Sequence, residues 1–139
     1  MYEGGHRVPA IVWAPSRVKP GSISNQTMMT FDIMVSSINL AGAIIPKKHK
    51  MDGVNIYPAI FNNKRLDDRT VIWEWSKDFQ SRGALRKGSW KLVIQTGKPE
   101  LYNLDNDPKE TKNLASFLPG ILQGLHKEYR TIFHEISKN

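Results

Sequence analysis

The sequence predicts an α+β fold, in which a small antiparallel meander is covered by a C-terminal helix. Two segments, Thr70–Trp75 and Trp90–Gln95, alternate apolar and polar residues as half-buried strands do. Leu101–Leu104 is predicted as a further short strand, and glycines punctuate the set as tight antiparallel connections require. Residues 118–136 instead repeat their apolar residues at helical spacing. The expected sheet therefore has three or four strands.

The C-terminal helix shows the clearest periodicity in the chain. Ser116 is predicted to cap it, and Pro119 suits its first turn because proline needs no backbone N–H there. The opposite face is polar, so the helix is expected to lie across the meander and bury one stripe. That stripe consists of Leu118, Ile121, Leu122, Leu125, Tyr129, Ile132, Phe133 and Ile136.

A strand and a helix are expected before the meander. Val8–Trp13 is a short apolar run typical of a buried strand, and Pro9 places its start at an edge or bulge. Thr30–Ala41 is predicted to be helical, with Thr30 as N-cap and Asp32 in the first turn. Its apolar stripe would consist of Phe31, Met34, Ile38 and Ala41.

Residues 43–69 show no clear period and contain the best candidate for a domain boundary. We therefore predict two domains. Residues 1–66 would form the first, with its long loop, and residues 67–139 would form the sheet and its covering helix.

Composition excludes several classes of protein. The chain has 139 residues, of which 40% are hydrophobic and 24% charged, as in folded globular domains. It has no cysteine, which excludes a disulfide scaffold, a Cys-ligated metal and a Cys nucleophile within this chain. No apolar run approaches the roughly 20 residues that span a bilayer, so no membrane partner is expected.

The formal net charge of +7 favours anionic partners. Helix-turn-helix, zinc-finger and RNP patterns are all missing from the sequence, so a nucleic-acid partner is not predicted. The tryptophans would pack in the sheet core or line a sugar-binding face. Asp105, Asp107 and Glu110 would hold calcium or form a turn around Pro108.

Several motifs, in order along nearly the whole chain, resemble the sulfatase family, the arylsulfatase branch of the alkaline-phosphatase-like superfamily. They are Glu3–Pro9 (EGGHRVP), Trp13–Pro15 (WAP), Arg82–Val93 (RGALRKGSWKLV), Glu100–Glu110 (ELYNLDNDPKE) and Asn113–Ala115 (NLA). The resemblance covers only the C-terminal portion of such a protein. It implies that Val8–Trp13 and Thr30–Ala41 are a remnant strand and helix of the α/β sulfatase core.

The family implies a sulfuric ester hydrolase when intact. Its formylglycine nucleophile, its calcium and the residues that grip sulfate are implied for positions upstream of Glu3. This chain is therefore expected to lack the nucleophile and the metal ligands, to carry no cofactor of its own and to be inactive alone. An exported or periplasmic location is implied by the family only.

Four basic side chains are candidates for contact with a substrate anion: His6, Arg7, Arg86 and Lys87. The alternative is structural, with Arg7 tying its strand into the core and Arg86 and Lys87 solvated. A second functional hypothesis is a stand-alone basic module that binds a sulfated glycan or another anion. Self-association through residues 1–42 is also expected, because an unpaired apolar strand edge recruits another edge.

Overall fold

The structure is a computed structural model that describes residues 1–46, 48–75 and 82–138. Its elements, in chain order, are α1 (Glu3–His6), α2 (Thr30–Leu40), α3 (Tyr57–Asn62), β1 (Thr70–Glu74), β2 (Arg82–Lys87), β3 (Trp90–Gln95), β4 (Lys98–Asn103) and α4 (Pro119–Ile136). The chain divides into two compact units, one of Met1–Pro9 with Asp68–Asn139 and one of Ala10–Asp67. The separation into domains of residues 1–66 and 67–139 stays a prediction.

The first unit is built on an antiparallel sheet in the order β1-β2-β3-β4, so the predicted meander and the α+β class are confirmed. Adjacent strands pair Leu85 with Leu92 and Leu92 with Leu101, and all three side chains are fully buried. Leu125 and Tyr129 of α4 complete this core. Helix α4 thus covers one face of the sheet, as the sequence predicts.

Two details of α4 differ from the prediction. The N-cap position is Leu118, with Pro119 as the first helical residue, whereas the expected cap, Ser116, lies in a preceding turn. Backbone bonds from the N–H groups of Phe117 and Leu118 to the carbonyl of Leu114 form that turn. Ile136, the last residue of α4, is 57% exposed, so the buried stripe ends earlier than expected.

The second face of the sheet is also covered. Ala84, Val93 and Tyr102 form a core on this face, with Met1 and Tyr2 packed against it. The Tyr2 hydroxyl donates to Glu100 at 2.7 Å, and its ring meets Tyr102 edge-on. The N-terminal residues therefore fold back onto strands that follow them by about a hundred positions.

The predicted strand Val8–Trp13 is wrong, because these residues have no regular secondary structure. Their apolar side chains are open to solvent, with Val8 72%, Ile11 94% and Trp13 85% exposed. A strand exists only through its ladder bonds to a neighbour. The strands that the structure describes pair only with one another, so this run has no strand partner among them.

In the second unit, α2 buries a different face from the predicted one. Phe31 and Met34 are exposed, whereas Asp32, Val35 and Ser36 are buried. The reason is hydrogen bonding: Asp32 accepts from the N–H groups of residues 29 and 54, and Ser36 Oγ accepts from the N–H of residue 56. Met29, not Thr30, holds the N-cap position. The hydrogen bonds that buried Asp32 and Ser36 accept from backbone N–H groups therefore decide which face of α2 is buried, in place of the apolar stripe.

The aperiodic segment from 43 to 69 contains helix α3, which sequence periodicity did not reveal. Pro58 lies in its first turn, and Asn63 ends it in the left-handed conformation with φ 51°. A helix of six residues is too short to show a 3.6-residue repeat. Among the described helices, none has the length and apolar character needed to cross a bilayer.

Candidate functional site

A buried cluster of charged side chains lies on the sheet face opposite α4. At its centre is Lys91, whose side chain is fully buried. Its Nζ lies 2.8 Å from Glu3 Oε1, 2.8 Å from Glu110 Oε1 and 3.2 Å from His6 Nε2. Arg86 Nη1 lies 3.6 Å from Glu3 Oε2. We call these five residues, Glu3, His6, Arg86, Lys91 and Glu110, the ionic cluster.

Three separate parts of the chain build the ionic cluster. Lys91 and Arg86 are cross-strand neighbours on β3 and β2, so their side chains emerge side by side from one face. Glu110 follows β4 in a turn, where its φ is 56°, and its carboxylate contacts Lys91. Its Oε2 accepts a 2.5 Å bond from the backbone N–H of Glu3. Glu3 is thus held by both its backbone and its side chain.

The charges of the ionic cluster balance. Two carboxylates face one ammonium and one guanidinium, which is the arrangement that makes burial of ions tolerable. Burial opposes ionisation of Glu3, but the hydrogen bond from Lys91 and the charges of Lys91 and Arg86 outweigh it and lower the pKa of Glu3. Glu3 therefore stays ionised at neutral pH.

His6 enters the ionic cluster as a neutral imidazole. Burial and the Lys91 charge lower the pKa of His6 below its ordinary value of 6.5. An ammonium can only donate, so His6 Nε2 must accept its hydrogen bond and Nδ1 must carry the proton. The ring also stacks on Trp73 at 4.3 Å between centroids. Its orientation is therefore fixed from two sides.

The predicted anion-contact residues separate into two groups. His6 and Arg86 meet in the ionic cluster, where both lie close to Glu3, although they are 80 positions apart in the sequence. Lys87 belongs to the other face, where its Nζ lies 2.9 Å from Glu128 of α4. Arg7 is exposed and does not tie a strand into the core. Contact of any of these four with an anion stays a prediction.

Sequence reasoning missed the central residue, Lys91. Its signal was a lysine inside the apolar run of β3, where both neighbours along the strand are apolar. A lysine at this position is also expected in an alternating strand whose second face is open to solvent. The sequence alone therefore does not show that Lys91 is buried, because only the folded chain shows that this face is covered. Glu3 and Glu110 belong to motifs that resemble the sulfatase family, but no local feature of the sequence predicts that they both contact Lys91.

The acidic residues after β4 form a turn. Asp107 accepts hydrogen bonds from the Lys112 N–H at 2.8 Å and the Thr111 hydroxyl at 3.0 Å, and these donors lower the pKa of its carboxyl. Glu110 turns towards Lys91 instead. In the described parts of the chain, no three His, Asp or Glu side chains are grouped so that they could hold a metal ion. These contacts favour the turn interpretation of Asp107 and Glu110 over a calcium site.

The tryptophans serve different purposes. Trp90 packs against the core under α4, and Trp73 stacks on His6, so these two follow the core interpretation. Trp13 and Trp75 are 85% and 77% exposed. Tryptophan is highly buried on average in globular proteins, so two largely exposed indoles mark surfaces that could contact a ligand.

Comparison with known proteins agrees with this architecture. Residues 1–132 match the family model for the C-terminal part of N-sulphoglucosamine sulphohydrolase. The chain is 34% identical to mouse arylsulfatase G over 156 residues, covering 99% of the chain and 28% of that protein. It is 36% identical to dog N-acetylgalactosamine-6-sulfatase over 121 residues, covering 86% of the chain and 21% of that protein.

Solved structures share the fold. The crystal structure of Ps i-CgsB superposes with a TM-score of 0.71 at 20% identity, over 86% of this chain and 27% of that one. BT4656, in complex with its substrate D-glucosamine-2-N,6-O-disulfate, gives 0.57 at 21% identity, over 89% of this chain and 26% of that one. The chain spans about a quarter of the length of the relatives it matches. With nearly all of its residues matched by the family model, the chain belongs to the N-sulphoglucosamine sulphohydrolase C-terminal family and corresponds to the C-terminal portion of a sulfatase-like protein.

Proposed function

We propose that this chain forms the C-terminal part of a sulfuric ester hydrolase, in which it fixes the segment Met1–Arg7 beside the substrate. It would support catalysis without supplying the nucleophile or the metal. The observation that carries this proposal is the ionic cluster, because it fastens that segment to the sheet through buried ion pairs.

The ionic cluster joins three of the motifs that resemble the sulfatase family. Glu3 belongs to the EGGHRVP motif, Lys91 to the RGALRKGSWKLV motif and Glu110 to the ELYNLDNDPKE motif. These ion pairs between residues far apart in the chain hold the three segments in fixed positions relative to one another. In the family, residues that bind metal and sulfate lie just upstream of the first motif. Fixing Glu3 would therefore fix the position of those residues too.

His6 is the residue of the ionic cluster best suited to meet a substrate. Its Nε2 is engaged by Lys91, which leaves the Nδ1–H as a donor of fixed direction. A neutral N–H donor can bind a sulfate or hydroxyl oxygen without the desolvation cost of a full charge. Arg86 is directed to Glu3 and would act by positioning rather than by contact.

We infer a sulfated amino-sugar saccharide as the substrate. One relative is an N-acetylgalactosamine-6-sulfatase, and one neighbour of the same fold is a complex with D-glucosamine-2-N,6-O-disulfate. The net charge of +7 supports an anionic substrate. Calcium and formylglycine would be supplied by other parts of the complete enzyme, so the chain alone is expected to release no sulfate.

The test begins with the nucleotide sequence upstream of the Met1 codon. An open frame that encodes a Cys- or Ser-x-Pro-x-Arg motif is expected. The protein expressed with that segment should release sulfate from N-acetylgalactosamine 6-sulfate, and the 139-residue chain should not. Sulfate release by the chain alone, or an upstream sequence without that motif, would overturn the proposal.

Two variants of the longer protein test whether His6 contacts the substrate. His6→Gln should lower kcat/KM by about tenfold, the value of one lost hydrogen bond to a charged group. His126→Gln is the matched control, because it makes the same substitution on α4, which covers the other face of the sheet. Equal losses in the two variants would exclude a specific role for His6.

A further inference from the structure

The sheet face that carries the ionic cluster ends in a row of polar and aromatic side chains. Arg82 pairs with Gln95, and Gln95 pairs with Lys98. Trp75 joins the row from the end of β1, where its N–H donates to the carbonyl of Arg82 at 3.2 Å. We call Trp75, Arg82, Gln95 and Lys98 the terminal row. Neighbours across strands have Cβ atoms about 5 Å apart, so the row extends over about 14 Å.

Alternation along the strands places the terminal row on the same face as His6. Trp73, two residues before Trp75, stacks on the His6 ring. The N-terminal segment covers the middle of this face, whereas Trp75 at its end is 77% exposed. A cleft of about 570 Å³ lies at this end, with His6, Trp73, Trp75, Arg82 and Gln95 among its walls.

The side chains of the terminal row are complementary to a charged sugar. An indole offers a flat apolar surface for the C–H face of a pyranose ring, with its N–H at the rim. A guanidinium matches the oxygens of a sulfate or carboxylate with two parallel hydrogen bonds. An amide both donates to and accepts from hydroxyl groups. Within the described residues, no ion pair involves Arg82 or Lys98.

We propose that the terminal row and its cleft form a binding site for an anionic saccharide. Trp75 would stack on a ring, Arg82 and Lys98 would hold its anionic groups, and Gln95 would bind hydroxyls between them. A nucleic acid is less suited, because a surface with one exposed indole and two cations provides few of the phosphate contacts that dominate such binding. The proposal does not depend on catalysis, since the chain itself would bind.

The test is a calorimetric titration of the complete chain with a heparin-derived tetrasaccharide at low ionic strength. Trp75→Ala should raise Kd about tenfold, as loss of a central aromatic contact does. Trp13→Ala is the matched control, because Trp13 is 85% exposed and lies in the other compact unit. Arg82→Gln should also raise Kd about tenfold, whereas Lys127→Gln, which removes the same charge from α4, should leave it unchanged.

Two further ligands define the chemistry. A desulfated tetrasaccharide that no longer binds would assign the anion as sulfate, and one that still binds would assign it as the uronate carboxylate. A single-stranded oligonucleotide of equal charge should bind more weakly and with no dependence on Trp75. Absence of saccharide binding, equal losses in the Trp13 and Trp75 variants, or an oligonucleotide that binds as tightly would each overturn the proposal. Unchanged unfolding midpoints would show that the variants are folded.

The two proposals, saccharide binding by the terminal row and the enzymatic role, can be refuted separately. Saccharide binding by the chain, combined with an upstream sequence that lacks the nucleophile motif, would refute only the enzymatic role. Sulfate release by the longer protein that is unaffected by Trp75→Ala, with no saccharide binding by the chain, would refute only the terminal-row site.

Discussion

The ammonium of Lys91 lies 2.8 Å from a carboxylate oxygen of Glu3, although 88 positions separate the two residues. Glu110 completes the contact from a third place in the chain. This pair explains how an N-terminal segment with little regular structure becomes part of a well-packed sheet unit. It also provides the clearest means of perturbing that unit.

Lys91→Met should lower the free energy of unfolding by about 3 to 5 kcal/mol, because it leaves two buried carboxylates without their partner. Lys87→Met is the matched control. Its ammonium lies 2.9 Å from Glu128, but its side chain is 53% exposed, and such pairs contribute less than about 1 kcal/mol. Urea unfolding of both variants measures the difference. Equal losses would show that the ionic cluster is not buried in solution.

Gly83→Ala should destabilise the sheet unit by about 1 to 3 kcal/mol through overpacking. A Cβ at Gly83 would lie 2.7 Å from Cζ of Tyr129, which is fully buried and donates a hydrogen bond to Glu74. Gly124→Ala is the control, since a Cβ there meets open space on α4 and should add up to about 1 kcal/mol of stability. Thermal unfolding distinguishes the two. A neutral Gly83→Ala would mean that Tyr129 does not pack against β2.

His6 should titrate below pH 6.5, since burial and Lys91 lower its pKa. The unfolded chain then binds a proton first as the pH falls. The stability contributed by His6 is complete above pH 6.5 and declines below it, towards the folded pKa. An NMR titration of the His6 ring gives its midpoint directly.

Unfolding measurements between pH 7 and 5 test the same linkage, and His6→Gln should reduce the decline. His126 has a pKa lowered by burial and by Arg130, so His126→Gln should reduce the decline as well. A His6 midpoint above pH 6.5 would contradict the neutral imidazole assigned here.

Self-association through residues 1–42 remains a prediction. Ile11 and Trp13 are 94% and 85% exposed in a stretch without strand pairing, and exposed apolar runs favour association. Light scattering after size exclusion should show species larger than a monomer at high micromolar concentration. Ile11→Ser should reduce the association, whereas Ile136→Ser, at the exposed end of α4, should not. A monomer at every concentration would refute this expectation.

The sheet and α4 were predictable because their signals are local. Alternation at Thr70–Trp75 and Trp90–Gln95 and the apolar stripe of α4 each follow from one element that buries one face. The face of α2 was not predictable, because its buried residues, Asp32 and Ser36, are polar and bind backbone groups of a loop some 20 positions later. Val8–Trp13 has the composition of a strand, but pairing needs a neighbour that composition cannot provide.

For the candidate site, the sequence identified His6 and Arg86, and the motifs contained Glu3 and Glu110. It could not pair them with Lys91, since long-range ion pairs leave no periodic signal. The terminal row is a similar case. Trp75, Arg82, Gln95 and Lys98 are spread over more than 20 positions, and strand register alone brings them side by side.

By itself, the sequence determined the α+β class, the meander, the covering helix and the resemblance to the sulfatase family. These depend on hydrophobic periodicity and on motifs of adjacent residues, both of which are written along the chain. The tertiary structure decided that both faces of the sheet are covered, that Lys91 is buried between two carboxylates, and that Trp75, Arg82 and Lys98 stay exposed at the end of the same face. Burial and charge pairing depend on tertiary contacts between segments that are distant in the sequence, and these contacts form only in the folded chain.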